Sequence, residues 1–133
     1  MYRIEITYGH RYPNGALLPV EELNTVEQQV LDTFSQTFNG GQAYYRTGGY
    51  LDTHGQLTIE PCTVVMTFAE AIDCHLEEMW RLASAIATQL EQECVLLTIT
   101  PVSGLVLMIE PQATLATEEK QREREKHLSG LTL

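Results

Sequence analysis

The sequence predicts a ferredoxin-like α+β fold: one antiparallel sheet, two helices on one of its faces, and an extra C-terminal strand. Three observations lead there. Strand-like and helix-like segments follow one another as β-α-β-β-α-β-β, and the first six form the split β-α-β arrangement of ferredoxin-like folds. Each helical segment carries one apolar stripe, so each has a single face to bury. A chain of 133 residues is long enough for one core and one domain.

The first strand spans residues 2–8. Tyr2, Ile4, Ile6 and Tyr8 alternate with Arg3, Glu5 and Thr7, the pattern of a half-buried strand. Gly9 ends it, and His10-Arg11-Tyr12-Pro13-Asn14-Gly15 has turn chemistry. The first helix is expected from Pro19 to Phe38, with Pro19 as its first helical residue and Glu21 and Glu22 at its positive end. Its stripe is Val20, Leu23, Val26 or Glu27, Val30, Leu31, Phe34 and Phe38, and Asn39-Gly40-Gly41 stops it.

Ala43 to Leu51 and Leu57 to Phe68 form a hairpin around Asp52-Thr53-His54-Gly55. Gly48-Gly49 and Pro61 suggest bulges or an edge. Asp73 is placed as N-cap of a second helix, Cys74 to Gln92, with Leu76, Met79, Trp80, Leu82, Ala83, Ile86, Ala87 and Leu90 buried. Glu77 and Arg81 stand four apart, a spacing for a weak surface pair. Cys94 to Thr100 and Leu105 to Ile109 are the last two strands, separated by a turn at Pro101-Val102-Ser103-Gly104. The domain is expected over 1–110. Residues 111–133, charged on every side around 117–126, are expected to be a frayed helix or disordered.

Charge bounds the function. The net charge is −10, and all of it lies in residues 1–110, where the only basic residues besides histidine are Arg3, Arg11, Arg46 and Arg81. A phosphate-tracking surface needs clustered Lys and Arg, so direct nucleic-acid binding and adsorption to anionic membranes are disfavoured. No apolar run is long enough for a membrane helix, and the N-terminus carries no signal-peptide pattern, so a cytoplasmic location is expected. Cys62, Cys74 and Cys94 are too few and too widely spaced for a disulfide framework or a structural zinc site. Cys62 and Cys94 are read as small buried hydrophobes. His10, His54, His75 and His127 show no ligand spacing, and no glycine loop opens a helix, so neither metal nor cofactor is expected.

One stretch resembles a known group. Gly48, Tyr50, Asp52, Gly55 and Glu60 reproduce a Gly-x-aromatic-x-Asp-x-x-Gly hairpin followed by Glu, similar to a family of short, functionally uncharacterised bacterial domains. Glu5-Ile6-Thr7-Tyr8-Gly9 resembles that family's first strand, and Gln92, Glu93 and Val95 its helix-to-strand junction. Tyr50 stands where the pattern usually has Trp. The resemblance covers residues 2 to about 100 and implies no activity.

Candidate binding residues are Tyr8, His10, Arg46, Tyr50, Glu60 and Glu93. Tyrosines with Arg46 would read an anionic or planar ligand, and Tyr8, His10, Arg46, Glu60 and Glu93 would serve a small hydrolase or isomerase. The plainer readings are rings that fill the core edge or a dimer surface, Asp52 as an Asx-turn residue, and Glu60 paired with Arg3 or Arg46. The preferred function is a non-enzymatic binding or assembly module, a homo-oligomer such as a homodimer joined through the open sheet face. That face is expected to show Arg3, Glu5, Thr7, Thr63, Val65, Thr67, Leu96 and Thr98. A protein partner, or an acidic inhibitor that mimics nucleic acid, is the alternative.

Overall fold

A computed structural model describes residues 1–107. Its elements are β1 (Tyr2–Gly9), α1 (Val20–Phe38), β2 (Gln42–Leu51), β3 (Leu57–Ala69), a 3-10 turn (Asp73–His75), α2 (Leu76–Gln89) and β4 (Leu96–Pro101). The sheet order is β2-β3-β1-β4, with every neighbouring pair antiparallel. This is the ferredoxin-like topology. Two parallel pairs, β1 with β2 and β3 with β4, are each interleaved with a strand of the other unit.

Both helices lie on one side. Val26, Val30 and Phe34 of α1 and Met79 and Ile86 of α2 join one core with Ile4, Ile6, Tyr8, Val65 and Ala69 of the sheet. The apolar stripes therefore meet the even positions of β1 and the odd positions of β3. That register corrects the expected open face. Ile6 stands opposite Val65 and Tyr8 opposite Thr63, so Thr63, Val65 and Thr67 face the helices. Cys62, Val64, Met66 and Phe68 take their place beside Arg3, Glu5 and Thr7. Alternation in 62–68, with Thr63 and Thr67 between Cys62, Val64, Met66 and Phe68, favours the even positions as the core face; pairing with β1 sets the opposite side inward.

The helix ends show how loops are set. Pro19 is the N-cap of α1, one residue before its first turn, and its carbonyl accepts the Glu22 and Leu23 amides. Asn39 closes α1 in the left-handed conformation (φ 69°), as its side-chain type favours. Asp73 makes no capping hydrogen bond; it opens a 3-10 turn instead, and α2 starts only at Leu76. At the far end of α2 a Schellman motif forms. Glu91 N–H donates to Thr88 O at 3.2 Å and Gln92 N–H to Ala87 O at 2.9 Å, with Glu91 itself left-handed (φ 51°).

Several expectations change at side-chain level. Trp80 is 66% exposed and Leu76 45%, because the buried stripe runs through Met79, Ala83, Ile86 and Leu90. Cys62 is buried, whereas Cys94 is exposed in the loop before β4. His75 packs edge-on against Phe38 at 4.9 Å, tying the start of α2 to the end of α1. The β2–β3 register is unbroken from Gln42↔Met66 to Leu51↔Leu57, so neither the glycines nor Pro61 make a bulge. Pro61 is tolerated because its carbonyl, and hence its nitrogen, faces β1 beyond Gly9; there the carbonyl accepts the His10 amide at 3.1 Å. Tyr2 pairs with Pro101, so the sheet ends there, and residues 105–107 form no strand. The rest of the expected fifth strand and the tail over 111–133 lie outside the described residues.

Candidate functional site

The strands end at different heights, and this makes the site. β1 stops at Gly9, opposite Cys62, and β4 begins opposite Thr7. The hairpin continues for five further residue pairs, from Thr47↔Pro61 to Leu51↔Leu57. At about 3.4 Å per residue this two-stranded arm reaches roughly 17 Å past Cys62. Its turn is held by Asp52, whose Oδ1 accepts the His54 and Gln56 amides at 2.8 and 2.9 Å, the Asx-turn reading. Gly55 supplies the positive φ of 75°.

Where β1 ends, the arm flank and the loop before β4 enclose a cavity of about 250 Å³, lined by Thr7, Gly9, Arg11, Glu60, Glu93 and Leu96 among others. Gln92, delivered by the Schellman turn, takes over where β4 is missing. Its Oε1 accepts the Gly9 amide at 3.1 Å, and its Nε2 donates to Arg11 O at 2.9 Å. Glu60 lies over Gly9, so closely that a Cβ there would overlap its carboxylate. The Arg11 amide donates to Glu60 Oε2 at 3.2 Å. Glu60 is 6% exposed; burial pushes its carboxyl above the usual range, and the Arg11 amide and charge draw it partly back. Gly9, Glu60, Gln92 and Glu93, which come from three separate segments of the chain, line this notch together.

Tyr8, His10 and Arg46 lie elsewhere. Tyr8 and His10 face α1, across the sheet from Glu60. His10 Nε2 lies 2.6 Å from Thr63 Oγ1, and burial lowers its pKa, with Glu27 opposing. The Tyr8 hydroxyl is buried beside Thr63; burial raises its pKa, Glu27 adds to the rise and Thr63 opposes it. Arg46 sits on the open face, further down the sheet. It lies over the Tyr44 ring, donates to the Tyr44 hydroxyl at 2.8 Å and stands 3.9 Å from Glu5. Glu5 also takes Arg3 at 3.2 Å and the Tyr44 hydroxyl at 2.6 Å. Glu5, not Glu60, is thus the partner of Arg3 and Arg46, and the arginine expected to read an anion is held by the protein itself. Tyr50 lies on the arm opposite Thr58.

Of the six, Glu60 and Glu93 come together at the notch. Sequence reasoning passed over Gly9 and Gln92 as contributors; the signal for both was their place in the resemblance, not their chemistry. Among the described residues, no three His, Cys, Asp or Glu side chains gather as a metal site, and no helix is long and apolar enough to cross a membrane.

Known structures share this frame. A phage SAM lyase in complex with S-methyl-5'-thioadenosine matches with a TM-score of 0.59 and 14% identity, over 74% of this chain and 79% of that one. A phage SAM lyase in its apo state matches at 0.57 and 14%, over 74% and 78%. CutA of Pyrococcus horikoshii, in the presence of guanidine hydrochloride, matches at 0.49 and 12%, over 80% and 88%. At such identities the lyase likeness is one of fold. No protein-family model matches the chain. No curated protein is similar to it in sequence.

Proposed function

We propose that this protein is a self-assembling module whose copies meet through the projecting arm and the open sheet face. The arm carries the reading. Leu51, Leu57 and Ile59, on the side of the arm that continues the helix-facing side of the sheet, are 68%, 67% and 62% exposed. A two-stranded ribbon is marginal in water by itself, and apolar side chains at this exposure want a partner surface. Like charge opposes association of copies that each carry −10, but residues 42–59 contain only Arg46 and Asp52 as full charges. The apolar arm is therefore the part of the surface least penalised when two copies approach.

Magnitudes favour a symmetric contact. Burying three large aliphatic side chains contributes roughly 4–9 kcal/mol at most. That is comparable with the cost of association, about 4–15 kcal/mol. One arm alone is insufficient. A two-fold arrangement engages both arms, each laid with its apolar side on the partner's open face, where Leu96 is 60% exposed.

Light scattering on the eluting protein at micromolar concentration should give a mass above one chain. Leu57→Asp with Ile59→Asp should return it to the monomer with the fold intact by circular dichroism. A wild-type protein that is strictly monomeric overturns the proposal. The lyase likeness adds that this fold can hold a nucleoside-derived ligand in another protein; what a ligand here must look like follows from this chain's own cavity.

A further inference from the structure

We propose that the notch over Gly9 binds a compact organic cation, an amine or amidine, whose N–H groups donate to Glu60. The site is concave, about 250 Å³, and lies at the sheet end between the arm and the loop before β4. Its anchor is the carboxylate of Glu60, a residue only 6% exposed. One oxygen, Oε2, receives the Arg11 amide; the other, Oε1, makes no hydrogen bond to the described residues and is not fully buried, so it stays open to the notch. A largely buried carboxylate whose free acceptor opens on a cleft can take a donor there, and a charged donor gives the strongest bond.

The remaining lining selects the ligand. Glu93, exposed at the notch, supplies a second negative group. The Arg11 guanidinium, the cation nearest to hand, donates to Gly15 O at 3.0 Å instead of to Glu60. Pro13 and Leu96 give walls for a short carbon skeleton. Two carboxylates without a third ligand suit an organic ammonium better than a bare divalent ion. The net charge of −10 draws cations toward such a cleft and repels anions. Gly9 is essential to the geometry, because any side chain there would occupy the space of the Glu60 carboxylate.

Agmatine, an ammonium and a guanidinium on one butyl chain, is a suitable probe. Added to the 15N-labelled full chain at physiological salt, it should shift the Gly9, Arg11 and Gln92 amides along one saturable curve. Glu60→Gln keeps the size of the side chain and an acceptor for the Arg11 amide, yet should weaken binding about tenfold or more, the loss of a charge-assisted bond. Leu96→Trp, which fills the notch from its exposed rim, should weaken it as well. Glu21→Gln on α1, with the same change in net charge, should bind as the wild type does, and 1-butanol should not bind. Shifts spread over the helices, or undiminished binding by both Glu60→Gln and Leu96→Trp, would overturn the proposal.

Discussion

Two glutamates on the same face of one sheet have opposite fates. Glu5 and Glu60 are 9% and 6% exposed. Glu5 is surrounded: the Arg3 guanidinium at 3.2 Å, the Tyr44 hydroxyl at 2.6 Å and Arg46 at 3.9 Å answer its charge. Glu60 has one backbone amide. Burying a charge is costly unless partners replace the lost water. Glu5 is therefore structural, whereas Glu60 is held in a poorly compensated state that a ligand can relieve. What separates them is position. Glu5 lies mid-sheet, where neighbouring strands supply partners, and Glu60 stands where β1 has just ended.

The largest effect expected of a single change is at their shared margin. Gly9→Val places a branched side chain inside the space of the Glu60 carboxylate and should cost about 2–3 kcal/mol in urea unfolding, as overpacking does. Combining it with Glu60→Ala should recover most of that loss. Full additivity of the two changes would show that they do not touch.

Charge removal should separate the two glutamates in sign. Glu5→Gln weakens charge-assisted bonds to Arg3 and Tyr44 and should destabilise by about 1–2 kcal/mol. Glu60→Gln removes a poorly compensated charge and should be neutral or stabilising near pH 7. The pH dependence sharpens this. Glu60 titrates above its ordinary value of 4.5 in the folded chain, so between the unfolded and folded pKa values the folded state binds more protons. Its contribution is then greatest at low pH and is lost as pH rises through the folded value. The stability advantage of Glu60→Gln over wild type should grow over that window, read by chemical unfolding at several pH values. An advantage that shrank instead would place Glu60 with Glu5.

The smallest expected effect concerns how Gln92 is delivered. Glu91 adopts φ 51°, a conformation that disfavours side chains. Glu91→Gly should stabilise by up to about 1 kcal/mol, offset by the wider freedom of glycine in the unfolded chain. Thermal unfolding would register a rise of a few degrees at most.

Sequence alone determined the order of the first six elements, the side-by-side helices and most turns. Those features are local: alternation in 2–8, helical stripes in 20–38 and 76–90, Asn39 at a helix end, and Asp52 with Gly55 in a hairpin each write their own period or backbone preference. Tertiary structure alone decided which side of β3 faces the helices, because pairing with β1 turns the Thr63, Val65 and Thr67 side inward although the alternation in 62–68 marks the other side as the more apolar. It also decided that Arg46 belongs to Glu5, that Tyr8 and His10 lie across the sheet from Glu60, and that Gln92 reaches Gly9. Each of these depends on register and on where one strand stops relative to another. That offset arises only when segments far apart in the chain pair, and no local pattern of residues encodes it.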